Sequence, residues 1–154
     1  MFRFLIVTLL FLMATYAKAA NQINSIKAFL YYDKTAEWST NILKSDFYIW
    51  NAVIGEGSLK YPAESTLFLV EADTESADNK ISVSIKQKWK NKEEVLVKGP
   101  QSCTYDKWDK KLFCPVVLPK ATVGVITFDA EIIDQKSNKI VSRKSVTKEY
   151  GGGE

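Results

Sequence analysis

Polar and apolar residues alternate with a period of two along most of the chain, which is typical of half-buried β-strands. The clearest example is Ile81–Trp89. One face of this segment carries Ile81, Val83, Ile85 and Trp89, and the other carries Ser82, Ser84, Lys86 and Lys88. The first face is therefore expected to pack on a core while the second meets water.

Further strands are predicted on the same grounds at Ile26–Tyr32, Thr66–Ala72, Glu94–Lys98, Thr122–Asp134 and Lys139–Tyr150. The last of these is charged on both faces, as an edge strand often is. Asp46–Ile54 is apolar on both faces and rich in aromatic and β-branched residues, which favours a strand buried on both sides over a short buried helix. Tyr31–Ser45 is predicted to be a long connection with at most one helical turn.

These roughly seven to nine short strands, with no helical pattern between them, predict an all-β fold. The expected architecture is an antiparallel β-sandwich of immunoglobulin-like type, and a closed β-barrel is the alternative. No repeat or linker divides residues 20–150, so one domain is expected there, followed by a flexible Gly-rich tail at 151–154. A composition of 46% hydrophobic and 25% charged residues fits such a globular domain.

Residues 1–19 have the pattern of a secretory signal peptide. Arg3 supplies the positive charge, Phe4–Ala14 the apolar run, and Ala17 and Ala19 the small residues that precede a cleavage site, so cleavage is expected before Ala20. The apolar run is shorter than the roughly 20 residues that span a membrane, so no membrane anchor is expected. The protein is predicted to be periplasmic or secreted, and the signal does not distinguish the two.

Loss of Arg3 and Lys18 with the signal lowers the formal net charge from +3 to +1. A nearly neutral domain has no long-range electrostatic attraction to nucleic acid, so a nucleic-acid partner is not expected. There is no Asn-x-Ser/Thr sequon, which favours a bacterial exported protein.

Cys103 and Cys114 are the only cysteines, and an oxidising compartment favours a disulfide between them. The polar centre of the intervening segment, Asp106–Lys111, predicts the tip of a hairpin. A disulfide that closes a loop of this size contributes roughly 3 kcal/mol in the chain-entropy account.

The chain has no His, which removes Ser-His-Asp and Cys-His catalysis and most zinc sites. No catalytic residue, metal ligand or cofactor is predicted, and a non-enzymatic protein is expected. The acidic segment 71–79 contains several oxygen ligands but lacks the spacing of an EF-hand. A solvated loop is favoured there, and the sequence leaves calcium binding open.

The best candidates for partner binding lie on the predicted hairpin: Trp108, with Tyr105, Lys107 and Asp109 around it. An exposed Trp on a rigid loop is typical of an interface hot spot, whereas a Trp lying flat on its own hairpin is the equal alternative. Trp38 is also assigned to a loop, while Trp50 and Trp89 lie in strand patterns and are expected in the core.

Two weaker candidates remain. Gly55, Glu56 and Gly57 predict a turn with positive φ at a strand exit, and a partner-binding loop is the less favoured interpretation. The run of lysines at 86, 88, 90 and 92 is interpreted as protection of a sheet edge rather than as an anion-binding patch.

Together these features predict an exported, non-enzymatic β-sandwich module that binds another envelope or extracellular macromolecule of unknown identity. One alternative is a secreted inhibitor of a cell-wall enzyme or protease that acts through hairpin 103–114. A surface-fibre subunit is a further alternative. It is less favoured because pilin subunits of the chaperone-usher kind, which this chain resembles in size and fold class, carry their disulfide across early strands.

Overall fold

A computed structural model describes residues 21–119 and 123–151; the predicted signal peptide and residues 152–154 of the predicted tail lie outside them. The described residues form eleven strands and no helix. In chain order these are β1 (Asn21–Tyr32), β2 (Glu37–Trp38), β3 (Ile49–Asn51), β4 (Glu56–Gly57), β5 (Ser65–Thr74), β6 (Lys80–Trp89), β7 (Lys92–Pro100), β8 (Thr104–Asp106), β9 (Lys111–Leu118), β10 (Gly124–Asp134) and β11 (Lys139–Tyr150).

Two sheets pack face to face, with strand orders β2-β1-β5-β9-β8 and β4-β3-β11-β10-β6-β7. The prediction of an all-β sandwich is therefore confirmed, while its immunoglobulin-like character stays a prediction. One pair departs from the predicted antiparallel arrangement, because β3 runs parallel to β11. That pairing involves only Ile49 and Tyr150.

The core consists of the inward faces of the long strands, as the alternation predicted. Ile81, Val83 and Ile85 of β6 are buried, and so are the four alternate residues of β10, Ile126, Phe128, Ala130 and Ile132. The rings of Phe68 and Phe128 stack between the sheets with their centroids 4.6 Å apart. Because each ring comes from the middle of its strand, this contact places the centres of β5 and β10 opposite each other across the core.

Segment Asp46–Ile54 differs from its prediction, because only Ile49–Asn51 is strand. The side-chain oxygen of Asn51 accepts hydrogen bonds from the backbone N–H groups of Val53 and Ile54, at 3.0 and 3.3 Å. This Asn-stabilised turn ends the strand and leaves Val53 and Ile54 each 57% exposed. Trp50 is 65% exposed, so its assignment to the core was wrong.

Three smaller predictions also change. The turn after β1 leads into β2, which pairs back on Tyr31 and Tyr32, so the predicted connection begins as a β-hairpin rather than with a helical turn. Trp38 lies in β2, not in a loop, and its ring is 4.9 Å from that of Tyr31. Gly151, the first residue of the predicted tail, donates a hydrogen bond to the Ile49 carbonyl at 2.8 Å and is held against β3.

The predicted edge positions are corrected in part. β6 lies between β10 and β7, so Lys86 and Lys88 do not protect an edge, whereas Lys92 lies in β7, the last strand of the sheet. β3 joins β11 only at Tyr150, so residues 139–149 form no ladder on that side and the prediction of an edge strand holds for most of β11. The inward polar residues of β11 instead meet the backbone of β1: Ser142 accepts from the Ile23 N–H at 3.2 Å, and Lys144 donates to the Asn24 carbonyl at 2.6 Å.

Candidate functional site

The hairpin between the two cysteines has the predicted form. Cys103 and Cys114 are joined by a disulfide, with their Cα atoms 4.3 Å apart. β8 pairs with β9 from Thr104–Phe113 to Asp106–Lys111, and residues 107–110 form the turn. The Asp106 carboxylate accepts from the backbone N–H groups of Trp108 and Asp109 at 2.8 and 3.3 Å, which closes the turn locally.

Two ion pairs join this hairpin to β5 and the residues that follow it. Lys110 lies 2.7 Å from Glu75, and Lys111 lies 2.7 Å from Glu71. The Lys111 hydrogen bond lowers the pKa of the Glu71 carboxyl, and Glu71 in turn raises the pKa of Lys111. The backbone N–H of Thr74 also donates to the Lys110 carbonyl at 2.9 Å. The turn is thus held from both sides, by the disulfide and by β5.

Trp108 is 85% exposed at the centre of this turn. Its ring does not lie flat on the hairpin; the Lys107 ammonium lies 5.1 Å from the ring centroid. Lys107 and Asp109 are exposed beside it. Tyr105 is half-buried and packs against the core, so it supports the hairpin rather than extending the exposed surface. We call Lys107, Trp108 and Asp109 the hairpin tip.

The other predicted candidates lie elsewhere. Gly55 and Gly57 have φ values of 81° and 94°, which confirms the predicted positive-φ turn. Glu56 and Gly57 form β4 and pair with β3, so this turn supports the strand that carries Trp50. A Cβ atom on Gly57 would lie 2.7 Å from the Tyr48 carbonyl oxygen and 2.8 Å from the Trp50 nitrogen, which explains why glycine is needed there.

The acidic segment 71–79 belongs partly to β5, and its polar groups bind within the protein. Asn24 donates to Asp73 at 2.6 Å, and Asn79 donates to Asn21 and Thr74 at 2.9 and 2.8 Å. Within residues 21–119 and 123–151, no three acidic or Cys side chains are grouped so that they could hold a metal ion. These hydrogen bonds join the N-terminal end of β1 to the end of β5 and to Asn79.

The structure shows one surface that the sequence did not reveal: a groove of about 610 Å³ at the C-terminal end of β11. We call it the Trp50 groove. It is lined by Ser45, Phe47, Tyr48, Ile49, Trp50, Trp89, Thr147, Lys148, Glu149 and Gly151. Tyr48 and Trp50 are 64% and 65% exposed, whereas Trp89, which was expected in the core, is half-buried beside Gly124. The contributing segments are about 40 to 100 residues apart, so no local pattern could have brought them together.

Lys148 and Glu149 bring one positive and one negative charge to the groove. The Lys148 ammonium donates to the Phe47 carbonyl and lies 5.8 Å from the centroid of the Phe47 ring. Burial lowers the pKa of this ammonium, and the nearby Asp46 carboxylate partly offsets the effect. The Lys90 ammonium lies 5.7 Å from the centroid of the Trp89 ring, so two positive and two negative charges lie at or beside the groove and nearly cancel.

The hairpin tip and the Trp50 groove lie at opposite ends of the sandwich. At one end of β5, Asp73 pairs with Lys111, which is the residue next to the turn of the hairpin. At the other end of β5, Thr66 contacts Tyr150, which lies beside the groove. The seven residue-to-residue steps of extended strand from Thr66 to Asp73 correspond to about 24 Å. The two surfaces are therefore separate candidates.

Comparisons with known proteins give no family. No protein-family model and no curated protein matches the chain. Among solved structures, the chain is similar to part of a β-glucuronidase from Bifidobacterium dentium, solved with coumarin-3-O-glucuronide, at 12% identity and a TM-score of 0.46. The match covers 84% of this chain and only 18% of that chain. Within the described residues, no helix is long and apolar enough to cross a membrane.

Proposed function

We propose that this protein is an exported, non-enzymatic binding module with an immunoglobulin-like sandwich fold. It contacts another macromolecule of the bacterial periplasm or extracellular space through the hairpin tip. One observation carries this proposal: Trp108 is 85% exposed on a turn that is held by a disulfide and two ion pairs. A turn fixed in this way loses little entropy on binding, and a buried Trp is among the largest contributors to interface affinity.

The disulfide also supports export, since such bonds persist in oxidising compartments. The hairpin tip carries one cation, Lys107, and one anion, Asp109, so it favours neither a strongly acidic nor a strongly basic partner. The expected partner surface is an apolar pocket for the indole ring with a polar rim.

Site-specific photo-crosslinking in the producing organism tests this proposal. A photoreactive residue at Lys107 should form a defined adduct that the same residue at Lys34, an exposed lysine on the β1–β2 turn, does not form. Trp108→Ala should reduce that adduct at least about tenfold, whereas Trp38→Ala, which removes another exposed Trp, should not. Because the Trp108 ring is exposed, its removal should leave the thermal midpoint nearly unchanged.

Two results would contradict the proposal. One is an adduct at position 107 that persists when Trp108 is replaced. The other is a loss of about 3 kcal/mol in stability for Trp108→Ala, which would indicate that the ring packs on the protein itself.

A secreted inhibitor is the second candidate, and the same braced hairpin favours it. An inhibitor loop must stay rigid while it occupies the active site of its target, which the disulfide and the Glu71–Lys111 pair promote. If the crosslinked partner is a cell-wall enzyme or protease, its activity should fall on addition of the purified protein and recover with Trp108→Ala. Unchanged activity would leave the binding module as the function.

A further inference from the structure

We infer that the Trp50 groove is a second binding site, and that it takes a neutral oligosaccharide of gluco-configured sugars. This site is independent of the hairpin tip and does not rest on the function proposed above.

The walls of the groove are aromatic. Trp50 and Tyr48 expose most of their side chains at one groove, where water contacts apolar rings at a cost in free energy. A gluco-configured pyranose has equatorial hydroxyls, so both faces of its ring present C–H groups. These weakly positive C–H groups stack on the electron-rich face of an aromatic ring. Trp50 supplies the more exposed platform, and the half-buried Trp89 supplies a wall.

The remaining lining is polar. The hydroxyl of Thr147 and the carboxylate of Glu149 lie on the outward face of β11, next to the aromatic platform. Sugar hydroxyls need donors and acceptors when they leave water, and these groups provide them. Ile49 is the aliphatic residue of the lining, and it is only 5% exposed, so the groove lacks the open aliphatic pocket that an apolar peptide anchor would fill.

The charge of the groove favours an uncharged ligand. The charges of Lys148 and Lys90 balance those of Glu149 and Asp46, and the Lys148 ammonium is already engaged by the Phe47 carbonyl. An acidic sugar would gain little from this cation and would meet the Glu149 carboxylate.

The groove continues onto the outer face of its sheet, which favours a chain of sugars over a single unit. Thr127 of β10 lies directly opposite Thr147 on this face, and Ser145 is the next outward residue along β11. Beyond them lies a second depression of about 350 Å³, whose lining includes Asp129, Glu131 and Arg143. Thr147 and Arg143 are about 13 Å apart along the strand. The path between the two depressions therefore carries hydroxyl groups, with Lys86 beside Thr127 and Asp129 beside Ser145.

Titration of the full mature protein with cellohexaose and chitohexaose, followed by tryptophan fluorescence and calorimetry, tests the inference. At least one hexasaccharide should bind saturably, and more tightly than the corresponding disaccharide. Trp50→Ala should weaken binding at least about tenfold, and Trp50→Phe, which keeps an aromatic ring, should weaken it less. Trp38→Ala, which removes another exposed Trp that does not line the groove, should bind like the unchanged protein.

Thr147→Val is a second variant, because it removes one hydroxyl on the groove without removing a ring and should also weaken binding. Each variant is checked by its thermal midpoint. Absence of saturable binding of both hexasaccharides at millimolar concentration would overturn the inference, as would equal binding by folded Trp50→Ala. If the saccharides fail to bind but an envelope protein binds the unchanged protein and not Trp50→Ala, the groove is assigned to a protein partner instead. These outcomes do not depend on whether crosslinking at position 107 is observed, because the hairpin tip is a separate site.

Discussion

The hydroxyl groups of Tyr150 and Thr66 are hydrogen-bonded at 3.1 Å between the two sheets, in the buried interior. Tyr150 has no solvent-exposed surface, and burial raises the pKa of its phenol above the ordinary value. The bond joins the end of β11 to the start of β5. It therefore connects the two sheets at the end of the sandwich that carries the Trp50 groove.

Tyr150→Phe should lower the free energy of unfolding by about 1–3 kcal/mol, because it removes the partner of a buried Thr66 hydroxyl. Thr66→Val in the Tyr150→Phe background should cost less than Thr66→Val alone, since both polar groups are then gone. Urea unfolding of the two single variants and the double variant gives the coupling energy. A coupling energy of zero would show that the bond contributes nothing.

Replacing both Cys103 and Cys114 by Ala should destabilise the protein by about 2–4 kcal/mol. Urea unfolding with and without a reductant measures this, since the double variant should be insensitive to reductant while the unchanged protein is weakened. Thiol titration of the unfolded, unreduced mature protein should find no reactive thiol. Two reactive thiols would contradict the pairing.

Stability should depend on pH through the Glu71–Lys111 pair. Because the pKa of Glu71 is lowered in the folded state, its contribution is present above about pH 4.5 and is lost as the pH falls through the folded-state pKa. Glu71→Gln should therefore cost about 1 kcal/mol at pH 7 and little at about pH 2. Glu75→Gln is the matched control, since Glu75 and Lys110 are each 58% exposed and should contribute little. Equal costs of Glu71→Gln at both pH values would exclude the pair as the source.

Gly151→Ala should destabilise the protein by about 1–3 kcal/mol, because its methyl group would overlap the Trp50 carbonyl. Tryptophan fluorescence should change as well, since the strand that carries Trp50 has to shift. Gly99→Ala is the comparison, because a Cβ there meets nothing within 4 Å and only its φ of 128° opposes the substitution. If both variants leave the fluorescence unchanged, Gly151 does not hold Trp50 in place.

The protein recovered from its producing organism should begin at Ala20. Signal peptidase cleaves after small residues at the positions that Ala17 and Ala19 occupy. Intact mass spectrometry decides this directly. A mass that includes residues 1–19 would exclude the predicted cleavage.

The long strands were predictable because each has one face on the core, so Ile81–Ile85 and Ile126–Ile132 alternate without interruption. Segment 46–54 was not predictable, because a run of aromatic residues gives the same sequence pattern whether its rings pack in a core or line a groove. The deciding feature was the side chain of Asn51, whose two backbone hydrogen bonds end the strand. The exposure of Trp108 could be predicted because its hairpin is formed by residues that are close in sequence. The Trp50 groove could not be predicted because it depends on the long-range pairing of β3 with β11.

The single-residue pairing of β3 with β11 has a consequence for amide hydrogen exchange. Segment 48–58 is held to β11 by the Tyr150–Ile49 pair and the Gly151–Ile49 hydrogen bond, whereas β10 is paired along its length on both sides. Its amides should therefore exchange through a local opening that leaves the rest of the sandwich folded, while those of β10 should await global unfolding. Any ligand of the Trp50 groove would have to hold this segment closed, so its binding should slow exchange there first.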